Sequence, residues 1–257
     1  MFLADFHIHS EFSDGSMSIP EIVDFYGALG FGAIAITDHL CEEKTPLGKA
    51  AAYMGKTLTR DSFDQYQEIL KHESQRAWNR YQMILIPGAE ITKNSLFNHR
   101  AAHIVALGVT EWISADQDFK SIAREIKNKG GFAIAAHPLA PHPHRNKPYY
   151  LWEQRAELED EFDAWEITYH STLLQEVVTS NLTKIASSDL HRPDQIKSWK
   201  TALSCGRDQT MIFNAIRSQN VQFQFYNGNE GASTQPHHPD FQISKRPLKL
   251  EPLAQSL

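Results

Sequence analysis

A chain of 257 residues is long enough to bury a sizeable core and has the size of one α/β-barrel domain. Hydrophobic residues make up 41% of the sequence and charged residues 22%, as in ordinary globular proteins. The formal net charge is -6 and the pI is about 6.1, which argues against a broad basic face for nucleic acid. We therefore expect no stable binding of duplex nucleic acid.

Cysteine usage and hydropathy exclude further classes of protein. Cys41 and Cys205 form no CxxC pair, which argues against a disulfide framework or a thiolate zinc site. The first ten residues lack the basic and apolar regions of a secretory signal, and no apolar run reaches membrane-spanning length. We therefore expect a cytoplasmic protein without a membrane partner, and the oligomeric state stays open.

Short apolar runs alternate with helical patterns along the chain. A helix is predicted from Ser18 to near Gly30, because Ser18 and Glu21 have the spacing of a capping box. Further helices are predicted at 61–81, 119–130 and 208–218. Strands are predicted at 2–9, 33–37, 84–87, 104–107, 132–136, 165–167, 184–187 and 221–225, with 84–87 and 104–107 pairing as a hairpin.

Repeated strand–helix units predict a largely parallel sheet in an α/β fold. The number of strands favours a closed or nearly closed barrel over an open sheet. We predict a barrel domain over residues 1–226 and a polar, proline-containing tail over residues 227–257. No glycine-rich dinucleotide fingerprint or P-loop follows a predicted strand, which argues against those nucleotide-binding folds.

Side chains that can bind metal ions follow one predicted strand after another. They are His7, His9, Asp14, His39, Glu90, His103, His137, Asp189 and His191. Because loops at the carboxyl ends of barrel strands build the active site, we expect these side chains to converge. Imidazole and carboxylate together suit Zn²⁺, Mn²⁺ or Fe²⁺. Nine ligands exceed what one tetrahedral ion uses, so we predict two or three ions with Glu90 as the bridge.

These motifs, in this order, resemble the PHP (polymerase and histidinol phosphatase) family. The matching pieces are DFHIHS at 5–10, SDG at 13–15, TDH at 37–39, GAE at 88–90, His103, AHP at 136–138 and SDLH at 188–191. The resemblance implies a distorted (β/α)7 barrel with a trinuclear metal site at the carboxyl ends of its strands. It assigns His7, His9, Glu90 and Asp189 to one ion, Glu90, His103 and His137 to a second, and Asp14, His39 and His191 to a third.

The activity implied by the resemblance is hydrolysis of a phosphoester by a metal-bound hydroxide. The substrate would be a small phosphomonoester or a nucleotide or oligonucleotide phosphodiester. Arginine side chains at the rim suit phosphate oxygens. Arg192 directly follows His191 and Arg145 lies in the loop after His137, so both are candidates for this catalytic role.

Two other functions stay open. Amidohydrolase-like enzymes, which act on C–N or C–O bonds, also begin with an HxH strand. Their sites commonly bridge two metals with a lysine, whereas Glu90 fits the bridge here. The third possibility, a non-catalytic metal-binding protein, is less consistent with a complete ligand set. Assays of phosphoesters against amides and lactones would distinguish a phosphoesterase from an amidohydrolase-like enzyme.

Overall fold

The structure is a computed structural model that describes residues 1–140 and 147–228. Arg145 and residues 229–257 of the predicted tail lie outside the described residues. No helix in the described ranges combines the length and the apolar character that crossing a membrane requires.

Strands and helices alternate along most of the described chain. The strands are β1 (Phe2–Asp5), β2 (Ala33–Ile36), β3 (His39–Cys41), β4 (Ile84–Lys93), β5 (Ala102–Leu107), β6 (Phe132–Ala135), β7 (Leu139–Ala140), β8 (Lys147–Pro148), β9 (Ala164–Glu166), β10 (Thr168–Tyr169), β11 (Thr172–Leu173), β12 (Lys184–Ile185), β13 (Trp199–Leu203) and β14 (Val221–Phe225). The α-helices are α1 (Ile19–Ala28), α2 (Pro46–Tyr53), α3 (Arg60–Tyr81), α4 (Phe119–Asn128), α5 (Tyr150–Glu153), α6 (Arg155–Leu158), α7 (Gln175–Val178) and α8 (Gln209–Arg217). Short 3₁₀ helices lie at Asn98–Arg100, Glu159–Glu161 and Pro193–Ile196.

One large mixed sheet organises the molecule. Within the described residues its strand order is β12-β9-β6-β5-β4-β2-β1-β13-β14, and β3 also pairs with β4. The pairs β1–β2, β2–β4, β6–β9 and β9–β12 are parallel, whereas β5, β13 and β14 run antiparallel to their neighbours. Ile8, just past β1, forms a parallel bridge with Leu190, just past β12, so the sheet nearly closes on itself. The predicted α/β barrel class is confirmed.

The predicted hairpin of β4 and β5 is also confirmed. Its antiparallel register places Glu90 opposite Val105 and Thr92 opposite His103. His103 therefore returns to the same end of the sheet as Glu90, although the strand that carries it runs in the opposite direction.

Alternate residues of strands β2 and β5 enter two different hydrophobic clusters, as the two-residue repeat of a strand requires. Ala33, Ala35, Val105 and Leu107 pack in a cluster with residues of α8. Their sequence neighbours Ile34, Ile36, Ile104 and Ala106 pack in a second cluster with residues of α1, α3 and α4. Both faces of the strands are thus covered, which holds the strand ends at fixed positions.

Helix α1 begins where the sequence predicts. The Ser18 hydroxyl accepts a hydrogen bond from the Glu21 N–H, and the Ser18 N–H donates to the Glu21 carboxylate at 2.8 Å. This reciprocal capping box satisfies two helix-terminal donors and fixes the path of the chain after the first ligand loop.

Candidate metal centre

The nine predicted ligands meet at one end of the barrel. His7 and His9 follow β1, Glu90 lies in β4, His137 follows β6 and Asp189 follows β12. These strands are connected through parallel pairs or through the antiparallel β5, so their carboxyl ends point to the same edge. His39, His103, Asp14 and His191 are brought to the same place by the adjoining strands and loops.

Glu90 lies at the centre of the cluster and is fully buried. Its Oε1 lies 3.0 Å from His103 Nδ1, 3.2 Å from His7 Nε2 and 3.3 Å from His137 Nε2. Its Oε2 lies 2.6 Å from His39 Nδ1. One carboxylate thus faces four imidazoles from four different segments, which is the arrangement expected of a bridging ligand.

The carboxylate of Asp14 faces a second set of imidazoles. Its Oδ1 lies 3.2 Å from His191 Nε2, 3.5 Å from His39 Nε2 and 3.9 Å from His9 Nδ1. The rings of His9 and His191 stack with centroids 4.2 Å apart. Asp189 connects this set to the rest, because its Oδ1 lies 3.1 Å from His9 Nε2.

The donor atoms fall into four overlapping groups, and within each group they lie within 4.8 Å of one another. The groups are His9–Asp14–His39–His191, His7–His137–Asp189, His7–His9–Glu90 and His39–Glu90–His103. The predicted third set is contained in the first group. His103 and His137, the two histidines of the predicted second set, fall in different groups, and both face Glu90 Oε1, at 3.0 and 3.3 Å.

The donor set fits divalent cations. Within the described residues, both nitrogens of His9, Nε2 of His7 and Oδ1 of Asp14 are buried and lack a hydrogen-bond partner. Buried polar atoms normally have partners, and an unpaired one costs about 1–3 kcal/mol. In a neutral imidazole one nitrogen carries the proton and the other a lone pair, so cations would satisfy the lone-pair nitrogens of His7 and His9 and the Asp14 oxygen.

The electrostatics of the cluster hold Glu90 and His9 in the protonation states that metal ligands need. Burial alone would raise the pKa of Glu90, but His103, His39 and His7 hold it well below its ordinary value. Burial, with the charge of His39, lowers the pKa of His9 to about 3. Glu90 is therefore ionised and His9 is a neutral imidazole at physiological pH.

His7 differs from His9. Burial lowers its pKa, but the nearby carboxylates of Glu166, Glu90 and Asp189 outweigh burial and raise the pKa well above its ordinary value. Glu166 is responsible for the largest of these attractions and is absent from the predicted ligand set.

The loop that carries Asp14 is fixed by the buried carboxylate of Asp38. Asp38 accepts hydrogen bonds from the Ser10 N–H at 2.8 Å, the Ser10 hydroxyl at 2.7 Å and the Ser13 hydroxyl at 2.5 Å. Since His39 is the next residue, one side chain ties the Asp14 loop to the strand end that supplies His39.

Gly15 is required by the same loop. A Cβ atom at this position would overlap the carbonyl oxygen of His9, and this backbone has little room to move. We expect Gly15→Ala to lower the free energy of unfolding by about 1–3 kcal/mol, as overpacking does. It should also weaken cation binding at Asp14. Chemical denaturation and metal titration would measure both effects.

Gly206→Ala is the matched control, because its Cβ would meet only the flexible side chain of Met211. Equal losses of stability and metal affinity in the two variants would contradict a special role for Gly15.

Two residues near the cluster were not among the predicted ligands. Glu166 Oε1 lies 3.0 Å from His7 Nδ1, and His170 Nδ1 lies 3.6 Å from Asp189 Oδ2. His170 has φ of 49°, in the left-handed region, within the turn between β10 and β11. A glutamate within an otherwise apolar strand was the available signal for Glu166. The approach of His170 depends on the turn conformation, which residue spacing does not indicate.

Positive side chains near the mouth have other partners. Arg192 is 64% exposed and its Nε lies 3.4 Å from Asp194 Oδ1. Lys93 Nζ lies 3.0 Å from Glu42 Oε1 and donates to two backbone carbonyls. In residues 1–140 and 147–228, no lysine or arginine forms an ion pair with Asp14, Glu90 or Asp189. A lysine bridge of the amidohydrolase kind is thus not found in these ranges.

Comparison with known proteins identifies relatives of this arrangement. The family model of the PHP domain matches residues 5–192. A two-domain protein from Bacteroides vulgatus, containing a predicted PHP-like metal-dependent phosphoesterase, has a similar structure with a TM-score of 0.61 and 24% identity. The alignment covers 88% of this chain and 65% of that protein, so this chain spans less than two thirds of its length.

Two further solved structures are similar at lower scores. An amidohydrolase from Chromobacterium violaceum is 16% identical with a TM-score of 0.47, covering 74% of this chain and 88% of that one. A proposed histidinol phosphatase from Listeria monocytogenes is 11% identical with a TM-score of 0.44, covering 75% and 97%. No curated protein matches the chain.

Proposed function

Because this chain belongs to the PHP domain family, whose model matches residues 5–192, we propose that it is a metal-dependent phosphoesterase. The proposed substrates are a small phosphomonoester or a nucleotide or oligonucleotide phosphodiester. The observation that carries the proposal is the convergence of six histidines and three carboxylates in overlapping groups of donor atoms.

The chain would hold two or three ions of Zn²⁺, Mn²⁺ or Fe²⁺. Glu90 would bridge, since its two oxygens face imidazoles of different donor groups. Asp14, His39 and His191, with His9, would form a separate position. When bound, such ions supply an activated water at neutral pH and positive charge for phosphate oxygens.

Side-chain exposure indicates where a phosphoryl group would approach. Asp14 is 33% exposed, His191 20%, His103 18% and His39 15%, whereas Glu90 is 0% exposed. The substrate would therefore reach the edge formed by the first four side chains, with Glu90 excluded from water beneath them. Low solvent content strengthens electrostatic interactions with the reacting group.

Arg145 and Arg192 remain predicted phosphate contacts. Arg145 lies outside the described residues, and Arg192 would have to exchange its contact with Asp194 for one with substrate. An arginine fork would then orient phosphate oxygens that the cations do not reach.

The test is a substrate panel on purified protein that has been stripped with a chelator and reloaded separately with Zn²⁺, Mn²⁺ or Fe²⁺. We expect hydrolysis of at least one phosphomonoester, nucleotide or short oligonucleotide, and a loss of at least about a thousandfold without metal. Amides and lactones in the same panel test the alternative activity, hydrolysis of C–N or C–O bonds. Faster turnover of these compounds, or phosphoester hydrolysis that persists without metal, would contradict the proposal.

A further inference from the structure

The ring of His7 lies between the carboxylate of Glu166 on one side and the carboxylates of Glu90 and Asp189 on the other. Its Nδ1 is 3.0 Å from Glu166 Oε1, and its Nε2 is 3.2 Å from Glu90 Oε1 and 3.5 Å from Asp189 Oδ1. His7 and Glu166 are both buried. In a neutral imidazole only one nitrogen carries a proton, and the hydrogen-bond partner selects which one. An ionised carboxylate only accepts, so the contact with Glu166 requires a proton on Nδ1, whereas a cation between Nε2 and the carboxylates of Glu90 and Asp189 requires a lone pair on Nε2.

The second oxygen of Glu166 holds another part of the cluster. The His137 backbone N–H donates to Glu166 Oε2 at 2.8 Å. His137 has φ of 22°, a backbone conformation that typically costs a non-glycine residue about 1–3 kcal/mol. The rings of His7 and His137 stack 5.6 Å apart with an interplanar angle of 15°. Both rings turn Nε2 toward Glu90 Oε1, at 3.2 and 3.3 Å.

We propose that Glu166 is a positioning residue that fixes the Nδ1–H tautomer of His7 and the strained backbone of His137. In this role it directs both Nε2 lone pairs to one cation position beside Glu90. The inference rests on the proposed function only in taking a divalent cation as the ligand. Carboxylates that orient metal-bound histidines in this way commonly change metal affinity by about 10–100-fold when they are substituted.

Glutamine at position 166 provides a strict test because it is nearly the same size but has one acceptor oxygen. Glu166 serves two donors, the His7 Nδ1–H and the His137 N–H. If the glutamine carbonyl keeps the His137 N–H, its amide NH₂ faces His7 Nδ1 and moves the proton to Nε2, where it blocks metal binding. If the carbonyl keeps His7 instead, a buried backbone N–H loses its acceptor, at a cost of about 1–3 kcal/mol.

The primary measurement is ¹⁵N NMR of the histidine side chains. It would be made in the Zn²⁺-loaded protein, in which Nε2 would face a cation instead of the bare carboxylates of Glu90 and Asp189. In the wild-type protein His7 should carry its proton on Nδ1. An Nε2–H tautomer in the wild-type protein would overturn the inference, whether or not any variant folds.

Metal titration of Glu166→Gln gives the second measurement. We expect at least one Zn²⁺ or Mn²⁺ to bind about 10–100-fold more weakly than in the wild-type protein. Glu166→Asp keeps two acceptor oxygens and should recover part of this affinity. Unchanged affinity in Glu166→Gln, or equal losses in the glutamine and aspartate variants, would overturn the inference.

Glu161→Gln is the matched control, because Glu161 is also buried and pairs with Arg124 instead of a ligand. It should bind metal as the wild-type protein does, and a loss equal to that of Glu166→Gln would overturn the inference. The outcome is separable from the substrate panel. A wild-type tautomer and an affinity loss as expected, with no phosphoester hydrolysed, would support the role of Glu166 and contradict the proposed function.

Discussion

Replacing Glu90 with glutamine should reduce phosphoester hydrolysis by about a thousandfold or more, the largest effect on activity that we expect from one substitution. Glu90 faces His103, His7 and His137 through Oε1 and His39 through Oε2, all within 3.3 Å. Glutamine is neutral, and its NH₂ group would face either the three imidazoles at Oε1 or the His39 imidazole at Oε2. A bound ion contributes several kcal/mol to transition-state stabilisation, and about 4 kcal/mol corresponds to roughly a thousandfold in rate.

The matched control is Glu73→Gln, since Glu73 is a buried glutamate on α3 that pairs with Arg76 away from the cluster. Metal content by elemental analysis should fall by at least one ion per chain in Glu90→Gln and stay unchanged in Glu73→Gln. Activity of Glu90→Gln within about tenfold of the wild-type protein, at full metal content, would exclude Glu90 as the bridge.

The ligand segments could be predicted from the sequence because each is local. An HxH pair after an apolar run, or a histidine at the end of a strand, follows from the chain order of strands and from the rule that parallel strands end at one edge. The return of His103 to Glu90 could also be predicted, since a hairpin register is set by the two strands and the turn between them. The structure places Thr92 opposite His103, as that pairing requires.

The grouping of donors could not be predicted in the same way. Which donor atoms lie close enough to share an ion depends on sheet twist and side-chain rotamers that residue spacing does not specify. The contacts of Glu166 and His170 depend in addition on left-handed backbone at His137 and His170. Such conformations are uncommon outside glycine, although histidine adopts them more often than most residues, and they are held by the surrounding structure and not by residue spacing.

The strand predicted at 221–225 is β14, but the alternation of strands and helices indicated neither β13 nor the antiparallel pairing of these two strands. These strands extend the sheet beyond β1, and they bring Lys200 to Asp5. A lysine within a strand near the end of the matched family region would ordinarily be placed on a solvated face. In the structure Lys200 is buried in contact with Asp5, beneath the strands that carry the ligands. No motif in the sequence indicates this contact.

Replacing Lys200 with methionine should produce the largest loss of stability, about 3–5 kcal/mol, because it leaves a buried carboxylate without its cation. Lys200 and Asp5 are both 0% exposed, and Lys200 Nζ lies 2.7 Å from Asp5 Oδ2. The Tyr26 hydroxyl donates to the same carboxylate at 2.8 Å and the Ser188 N–H donates at 2.9 Å. These hydrogen bonds remain in the variant, so the loss should lie toward the lower end of that range.

The free energy of unfolding of the metal-free protein, measured by denaturant titration at neutral pH, checks this expectation. Lys184→Met is the matched control, since Lys184 Nζ donates only to the carbonyls of Ser180 and Leu182 in the hydrogen bonds observed. It should cost less than about 1 kcal/mol. Adding Asp5→Asn to Lys200→Met removes the unpaired buried carboxylate charge, so the double variant should recover part of the lost free energy of unfolding. If the double variant is instead less stable than Lys200→Met, the hydrogen bonds that Asp5 makes to Tyr26 and Ser188 outweigh its charge pairing with Lys200.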